Sequence, residues 1–340
     1  MSTQHFDYLD GWRGLAIALL LIGHYFPVPG INLGAFGVQL FFVLSGLLMA
    51  RLLFIRKVAL RTFYERRIAR IVPAAYVFMA VTVAALLLLG LPVNWRETAA
   101  AALFVTNYFP GELGNAVMPF GHIWSLSVEE HCYIALSLVA VLSRRTGLSA
   151  RTAVGLCAAL CVAAGCYYTF RYSGRDLTGA FLHTEVAGFG IFISAYLVLA
   201  LHGKRLPTFH PVAYGALLLL ALCTQWWSLP RALHVFGGAA ILAVLVNLLA
   251  AAPRSVHAVL SLRPLRQLGL WSYSIYLWQQ LYYFYGDHAP LPQLLGMTAS
   301  IALGIASYYA IERPARTYLN ARAARSRHGV SRGEASLTQV

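Results

Sequence analysis

Charge is scarce in this chain. Of its 340 residues only 11% are Asp, Glu, Lys or Arg, whereas 59% are hydrophobic; soluble domains carry about 25% charge. That composition excludes a soluble globular enzyme, and no polar stretch of domain length remains for a separate soluble unit. Acid is scarcer than base, with 12 Asp plus Glu against 26 Lys plus Arg. Cysteine is sparse too. Cys132, Cys157, Cys161, Cys166 and Cys223 are odd in number and fall in or beside apolar runs. They lack the paired spacing of a disulfide framework or zinc site, so no metal is expected. No internal repeat is evident, which argues against an inverted-repeat transporter.

What is present is a succession of apolar runs, at 11–28, 34–53, 71–91, 123–142, 152–170, 182–201, 211–228, 232–251, 267–285 and 292–311. A crossing needs about twenty such residues. The sequence therefore predicts an all-α polytopic membrane helix bundle of about ten transmembrane helices. A shorter run at 98–109 is expected to be re-entrant or interfacial. With that assignment the basic clusters Arg51 to Arg70, Arg144/Arg145/Arg151, Lys204/Arg205, Arg254/Arg263/Arg266 and Arg313 to Arg332 share one side, which the positive-inside rule makes cytoplasmic. Letting the run span would send four of these clusters outside. Both termini are thus expected in the cytoplasm, and the net charge of +14 reads as topogenic rather than as a nucleic-acid surface. Residues 107–122, with Pro110, Gly111, Gly114, Pro119 and Gly121, suit an outer loop. The first apolar run holds Arg13 and His24 and is followed by no Ala-x-Ala-like site, so it is expected to be a retained span rather than a signal peptide. The domain reading is one transmembrane domain over 1–320 and a basic, disordered cytoplasmic tail over 321–340.

Polar residues inside these runs are costly in hydrocarbon and point to function. Arg13 and His24 lie eleven residues apart, about 16 Å and three turns along one helix, so both point near the same face. Interfacial anchoring would also explain each, and Asp10 is placed to pair with Arg13. Ser45-Gly46 permits close helix packing. Arg67 and Arg70 share a helical face at a membrane surface and suit bidentate binding of phosphates. In Trp124-Ser125-Leu126-Ser127-Val128-Glu129-Glu130-His131, two carboxylates between histidines are hard to explain by packing, and Glu129 is placed to face the bundle. Ser272, Tyr273, Tyr276 and Trp278 make the 267–285 run aromatic and hydroxyl-rich, as an interfacial belt also is.

Together these stretches resemble the acyltransferase-3 family of bacterial multi-pass membrane acyltransferases, over about residues 6 to 316. Asp10-Gly11-Trp12-Arg13-Gly14 with His24 is similar to the family's Arg-x10-His element, and Phe41-Phe42-Val43-Leu44-Ser45-Gly46 to its second-span signature. Arg67 and Arg70 match an Arg-x-x-Arg element, followed by Pro73 and Tyr76. Trp124-Ser125-Leu126 with Glu129 and Tyr133, then Gly269 with Ser272-Tyr273 and Tyr276-Leu277-Trp278, and Tyr309 with Glu312-Arg313-Pro314, complete the order. Three positions depart from the pattern. Cys132 stands where phenylalanine is usual, Gln279 where many members carry a histidine, and Trp12 where leucine is usual.

The resemblance implies an O-acetyltransferase of the bacterial inner membrane. It would use acyl-coenzyme A, acetyl-CoA most commonly, from the cytoplasm to acylate hydroxyls of exopolysaccharide, O-antigen or another extracytoplasmic carbohydrate. Some members carry an added esterase-like domain that completes transfer. None is expected here, so the bundle alone or a separate extracytoplasmic protein would finish the reaction. In that scheme Arg67 and Arg70 hold phosphates, Arg13 holds the neck of the site, and His24 acts as general base or acyl carrier. Glu129 orients the imidazole; Ser45, Trp124, Ser272 and Tyr276 contact the oxyanion or the sugar. The competing classes are a polytopic transporter or flippase and a membrane anchoring protein. The second would not need Arg13, His24, Glu129 and the inner arginine pair together.

Overall fold

The computed structural model describes residues 6–109, 118–172, 177–285 and 292–337. These fold into helices joined by short turns, and among them the only strand-like pairing is an isolated bridge between Ile31 and Trp226. Helix α1 is Asp7–Tyr25, α2 is Leu33–Ala50 and α3 is Leu60–Leu88; α4 is Trp95–Ala102, α5 is Ile123–Thr146 and α6 is Ala150–Arg171. Then come α7 (Thr184–Leu201), α8 (Pro211–Cys223), α9 (Leu233–Ala251), α10 (Arg254–Leu260) and α11 (Arg263–Tyr285). Helices α12 (Gln293–Ser307) and α13 (Arg313–Leu337) join through a π-helical turn at Tyr308–Glu312. Side-chain caps start several helices: Asn32 accepts from the Ala35 amide, Asn94 from Arg96 and Glu97, and Ser149 from Thr152. Helix α5 ends at Gly147, whose φ of 73° lies in the left-handed region that glycine tolerates.

Seven helical runs among the described residues are long and apolar enough to cross a membrane: Leu33–Ile55, Leu60–Leu88, Ile123–Thr146, Ala150–Arg171, Thr184–Leu201, Leu233–Ala251 and Gln293–Arg325. The expected ten are not all in this set, for two reasons. Helix α8 has 13 residues and rises about 20 Å, short of a hydrocarbon core about 30 Å thick. Helices α1 and α11, with 19 and 23 residues, are long enough but too polar. The 98–109 segment does not span. It consists of the end of the eight-residue α4, a reversal at Phe104 (φ 53°) and a single 3-10 turn at Thr106–Tyr108. Pro110, Gly111 and Gly114 lie outside the described residues.

Helix α2 sits at the centre, packed on α1, α5, α7 and α9. Between apolar helices in lipid there is little hydrophobic drive, so close backbone approach at small residues sets the packing. Added Cβ atoms at Gly14 and Gly269 would collide with the backbones of α11 and α1 respectively, which locks those two helices together. A Cβ at Gly23 would likewise collide with the α2 backbone at Leu33 and Gly34, and Gly46 brings α2 onto Ile191 of α7. Trp12 is buried, and its indole N–H donates to the Leu40 carbonyl at 2.9 Å, tying α1 to α2. Cys132 is buried beside Gly188 at the bend of α7.

Candidate active site

Helices α1, α2, α3, α5 and α11 surround a cavity of about 790 Å³, measured to its open mouth. Seven of the residues singled out from sequence line it: Arg13, Ser45, Arg67, Arg70, Glu129, Ser272 and Tyr276. They come from five helices; Arg13, Ser45, Glu129, Ser272 and Tyr276 are polar groups in apolar runs, and Arg67 and Arg70 a pair on one helical face just before such a run. Apolar walls come from Val38, Phe41, Phe42, Leu44, Leu48, Ile71 and Leu126. The result is a space with mostly apolar walls that also holds three guanidiniums.

The three arginines differ in what they hold. Arg67 is fully engaged: Nε donates to Glu130 at 3.0 Å, Nη2 to Glu129 at 3.4 Å, and the guanidinium lies 3.3 Å over the Tyr133 ring. Arg13 donates to Asp10 at 2.7 Å, so the pairing foreseen along α1 is present. Arg70 has no carboxylate within ion-pair distance among the described residues, although Glu312 is near enough to act on it electrostatically. Glu312 itself is buried and accepts from Ser274 at 2.8 Å. Of the three guanidiniums, Arg70 has the most donor capacity left for an incoming anion.

The hydroxyls are also committed. Ser45 donates to Glu129 at 2.6 Å and Ser272 to the Gly269 carbonyl at 2.9 Å. Tyr276 donates to the His122 carbonyl at 2.6 Å and lies 2.7 Å from Ser125 Oγ. These groups present lone pairs rather than protons to the cavity. Free N–H donors for a developing oxyanion therefore reside on the arginines, not on Ser45, Ser272 or Tyr276.

His24 lies elsewhere. It is at the far end of α1 from Arg13 and lines neither this cavity nor the second one described below. The expected contact with Glu129 is not formed, because Glu129 is held by Ser45 and Arg67. Gln279 takes that place: its Oε1 lies 2.9 Å from His24 Nδ1, and Tyr283 stacks on the ring at 4.3 Å. A carbonyl oxygen at Nδ1 fixes the proton there and leaves the Nε2 lone pair free as a base. Gln279 thus supplies an acceptor at the position where many relatives have histidine. Gly34 leaves the space beside Nε2, since a Cβ there would stand 3.0 Å from it.

Trp124 also stands apart from the other candidates. It meets Phe42 edge-on at 5.9 Å and lines a second cavity rather than the first.

The model of the acyltransferase domain family matches residues 6–312, the span that contains every one of these positions. The chain belongs to that family. Among curated members it is 29% identical to a Bacillus subtilis protein named as a peptidoglycan O-acetyltransferase, YrhL, over 93% of this chain and 56% of that one. It is 27% identical to the peptidoglycan O-acetyltransferase OatA of Listeria monocytogenes, over 82% and 49%, and 25% identical to the O-acetyltransferase OatA of Staphylococcus aureus, over 93% and 58%. The chain spans about half the length of these acyltransferases. No solved structure matches it.

Sequence reasoning within the family pattern missed three residues. Gln279 was noted only as a departure, and its role shows only once α1 and α11 are packed. Glu130 shares Arg67 with Glu129, which its adjacency hinted at. His122, one of the two histidines flanking that carboxylate pair in sequence, is buried against Phe78 and Tyr276 with neither ring nitrogen hydrogen-bonded among the described residues.

Proposed function

We propose that this chain is a membrane O-acyltransferase that moves an acyl group, acetyl first, from acyl-coenzyme A to a hydroxyl of an extracytoplasmic carbohydrate. One observation carries the reading: within a matched acyltransferase domain, a single cavity collects Arg13, Arg67, Arg70 and Glu129 among mostly apolar walls. Phosphates need guanidinium donors, whereas a pantetheine arm and thioester need an uncharged, water-poor path. Arg70 and Arg13 contact the phosphates, while Arg67 lines the same wall and holds Glu129 in place. The acceptor oxygen attacks the thioester carbonyl carbon as the carbon–sulfur bond breaks. The hydroxyl proton passes to His24 Nε2 and then to the departing sulfur.

The names of the relatives support peptidoglycan as an acceptor to test beside exopolysaccharide and O-antigen. Basic loops support a multi-pass protein of the bacterial inner membrane with both termini cytoplasmic. The test is purified protein in vesicles supplied with radiolabelled acetyl-CoA and a soluble glycan. Label should appear on the glycan, and His24→Ala should lower the rate about 100-fold or more while the protein still inserts. Full ester formation by His24→Ala would remove the base assignment. A protein that neither binds acetyl-CoA nor labels any glycan would overturn the acyltransferase reading.

A further inference from the structure

The second cavity, of about 730 Å³, lies along the same helix as the first. Val38 and Phe42 of α2 line both. Towards the C-terminal end of α2 the first cavity is lined by Ser45, Leu48 and Met49; towards its N-terminal end the second is lined by Asn32, Ala35 and Gln39. The two chambers are therefore stacked along α2 and share one wall.

Their chemistry differs. The first has three guanidiniums. The second has one, Arg231 at its exposed mouth, and no carboxylate among its lining residues; amides, an imidazole and a hydroxyl make up the rest of its polar surface. Its inner polar wall is built. The Gln225 amide is 1% exposed and donates to Gln39 Oε1 at 3.3 Å and to the His234 carbonyl at 3.1 Å; Gln39 Nε2 donates to that same carbonyl at 2.5 Å. The π-helical turn Leu233–Gly237 interrupts the regular ladder and supplies this carbonyl. Aromatic surface comes from Trp124. A Cβ on Gly34 would stand 3.0 Å from His24 Nε2 and 3.5 Å from Asn32 Oδ1, so His24, which lines neither chamber, comes near Asn32, a lining residue of the second.

We propose that this second chamber holds the saccharide acceptor. The proposal rests on the acyl-transfer reading and assigns that reaction its second substrate site. A hydroxyl-rich, weakly charged ligand matches an indole and the oxygen lone pairs that the mutually bonded Gln39 and Gln225 amides present, whereas a polyphosphate does not. Of the two chambers this is the one with a lining residue, Asn32, near His24 Nε2, to which a hydroxyl would lose its proton.

Occupancy is read by thiol protection. Val235→Cys reports on the second chamber and Leu48→Cys on the first, each alkylated with a small maleimide and corrected for the rate of the unsubstituted protein. Maltotetraose, chitotetraose and a soluble muropeptide are tested against coenzyme A. At least one glycan should slow Val235→Cys alkylation about fivefold without slowing Leu48→Cys, and coenzyme A should slow Leu48→Cys. If coenzyme A protects Leu48→Cys but no glycan protects Val235→Cys, the acceptor assignment is overturned while the acyltransferase reading stands. If a glycan protects Leu48→Cys instead, the acceptor belongs in the first chamber. If coenzyme A protects neither, the underlying reading fails. As a second measurement, Arg231→Ala and Trp124→Ala should each raise the acceptor KM about tenfold, a loss of about 1.4 kcal/mol. A rise confined to the acetyl-CoA KM would refute the assignment.

Discussion

Replacing Arg67 by methionine separates two roles that the sequence pattern cannot distinguish. The guanidinium is 12% exposed, and the carboxylates it holds, Glu129 and Glu130, are 14% and 24% exposed. Its removal strands two carboxylates together in a poorly solvated wall, with Ser45 the one remaining side-chain donor to Glu129. Breaking a buried pair from one side costs about 3–5 kcal/mol. Loss of the desolvated cation–π contact with Tyr133 adds about 2 kcal/mol, and relaxation towards the open cavity offsets part of the total. A net destabilisation of about 3 kcal/mol is expected for Arg67→Met. Glu129→Gln keeps an acceptor for Ser45 and Arg67 and should cost about 1 kcal/mol. The double variant should be less destabilised than the two singles added, by about 1–2 kcal/mol, because the groups are in direct contact. Thermal melts of the purified protein in one detergent measure all three, and coenzyme A titration of the same samples measures affinity. The reasoning is refuted if Arg67→Met melts like the wild type yet loses as much coenzyme A affinity as Arg70→Ala. Arg67 would then be a phosphate ligand whose carboxylate pairs contribute nothing to the fold.

Arg70→Ala should weaken coenzyme A binding about tenfold to a hundredfold, the loss of one charge-assisted contact, with little change in melting temperature; calorimetric titration checks this. Gly34→Ala places a methyl 3.0 Å from His24 Nε2, so acyl transfer should fall about tenfold or more while coenzyme A affinity is kept. Gln279→Leu removes the acceptor at Nδ1 and should lower the transfer rate while Gln279→His restores much of it, measured as glycan ester formed per minute. Gly269→Ala drives a Cβ into the α1 backbone at Asp10 and should destabilise the bundle by about 1–3 kcal/mol in the same melts.

Much of the first cavity was legible before any coordinates. Arg13, Ser45, Glu129, Ser272 and Tyr276 stand out locally as polar groups inside apolar runs, Arg67 and Arg70 as a pair on one helical face at a membrane surface, and all seven line one space. Partnerships were not legible, because they depend on how helices far apart in sequence are rotated against each other. His24 and Gln279 are 255 positions apart, and Arg67 and Glu129 are 62 apart. Those rotations are set by glycine contacts such as Gly23 on Gly34 and Gly14 on α11. A sequence shows that such glycines exist but not which backbone each one meets. Trp124 went to the other chamber for the same reason.

Two of the ten expected spans, α1 and α11, are absent from the seven runs long and apolar enough to cross. Helices α1 and α11 fall short on hydropathy rather than on length, and between them they carry Arg13, His24, Ser272, Tyr276 and Gln279. A helix that exposes such residues to hydrocarbon is unstable, so its polar face must be withdrawn from lipid. The contact between Gly14 and Gly269 performs that withdrawal by bringing the two backbones together, and α2 covers the remaining side of α1. The polarity that weakens α1 and α11 as membrane-crossing signals is therefore the same polarity that builds the site. In a bundle of this kind, the helices that look least like spans are the ones to search first for chemistry.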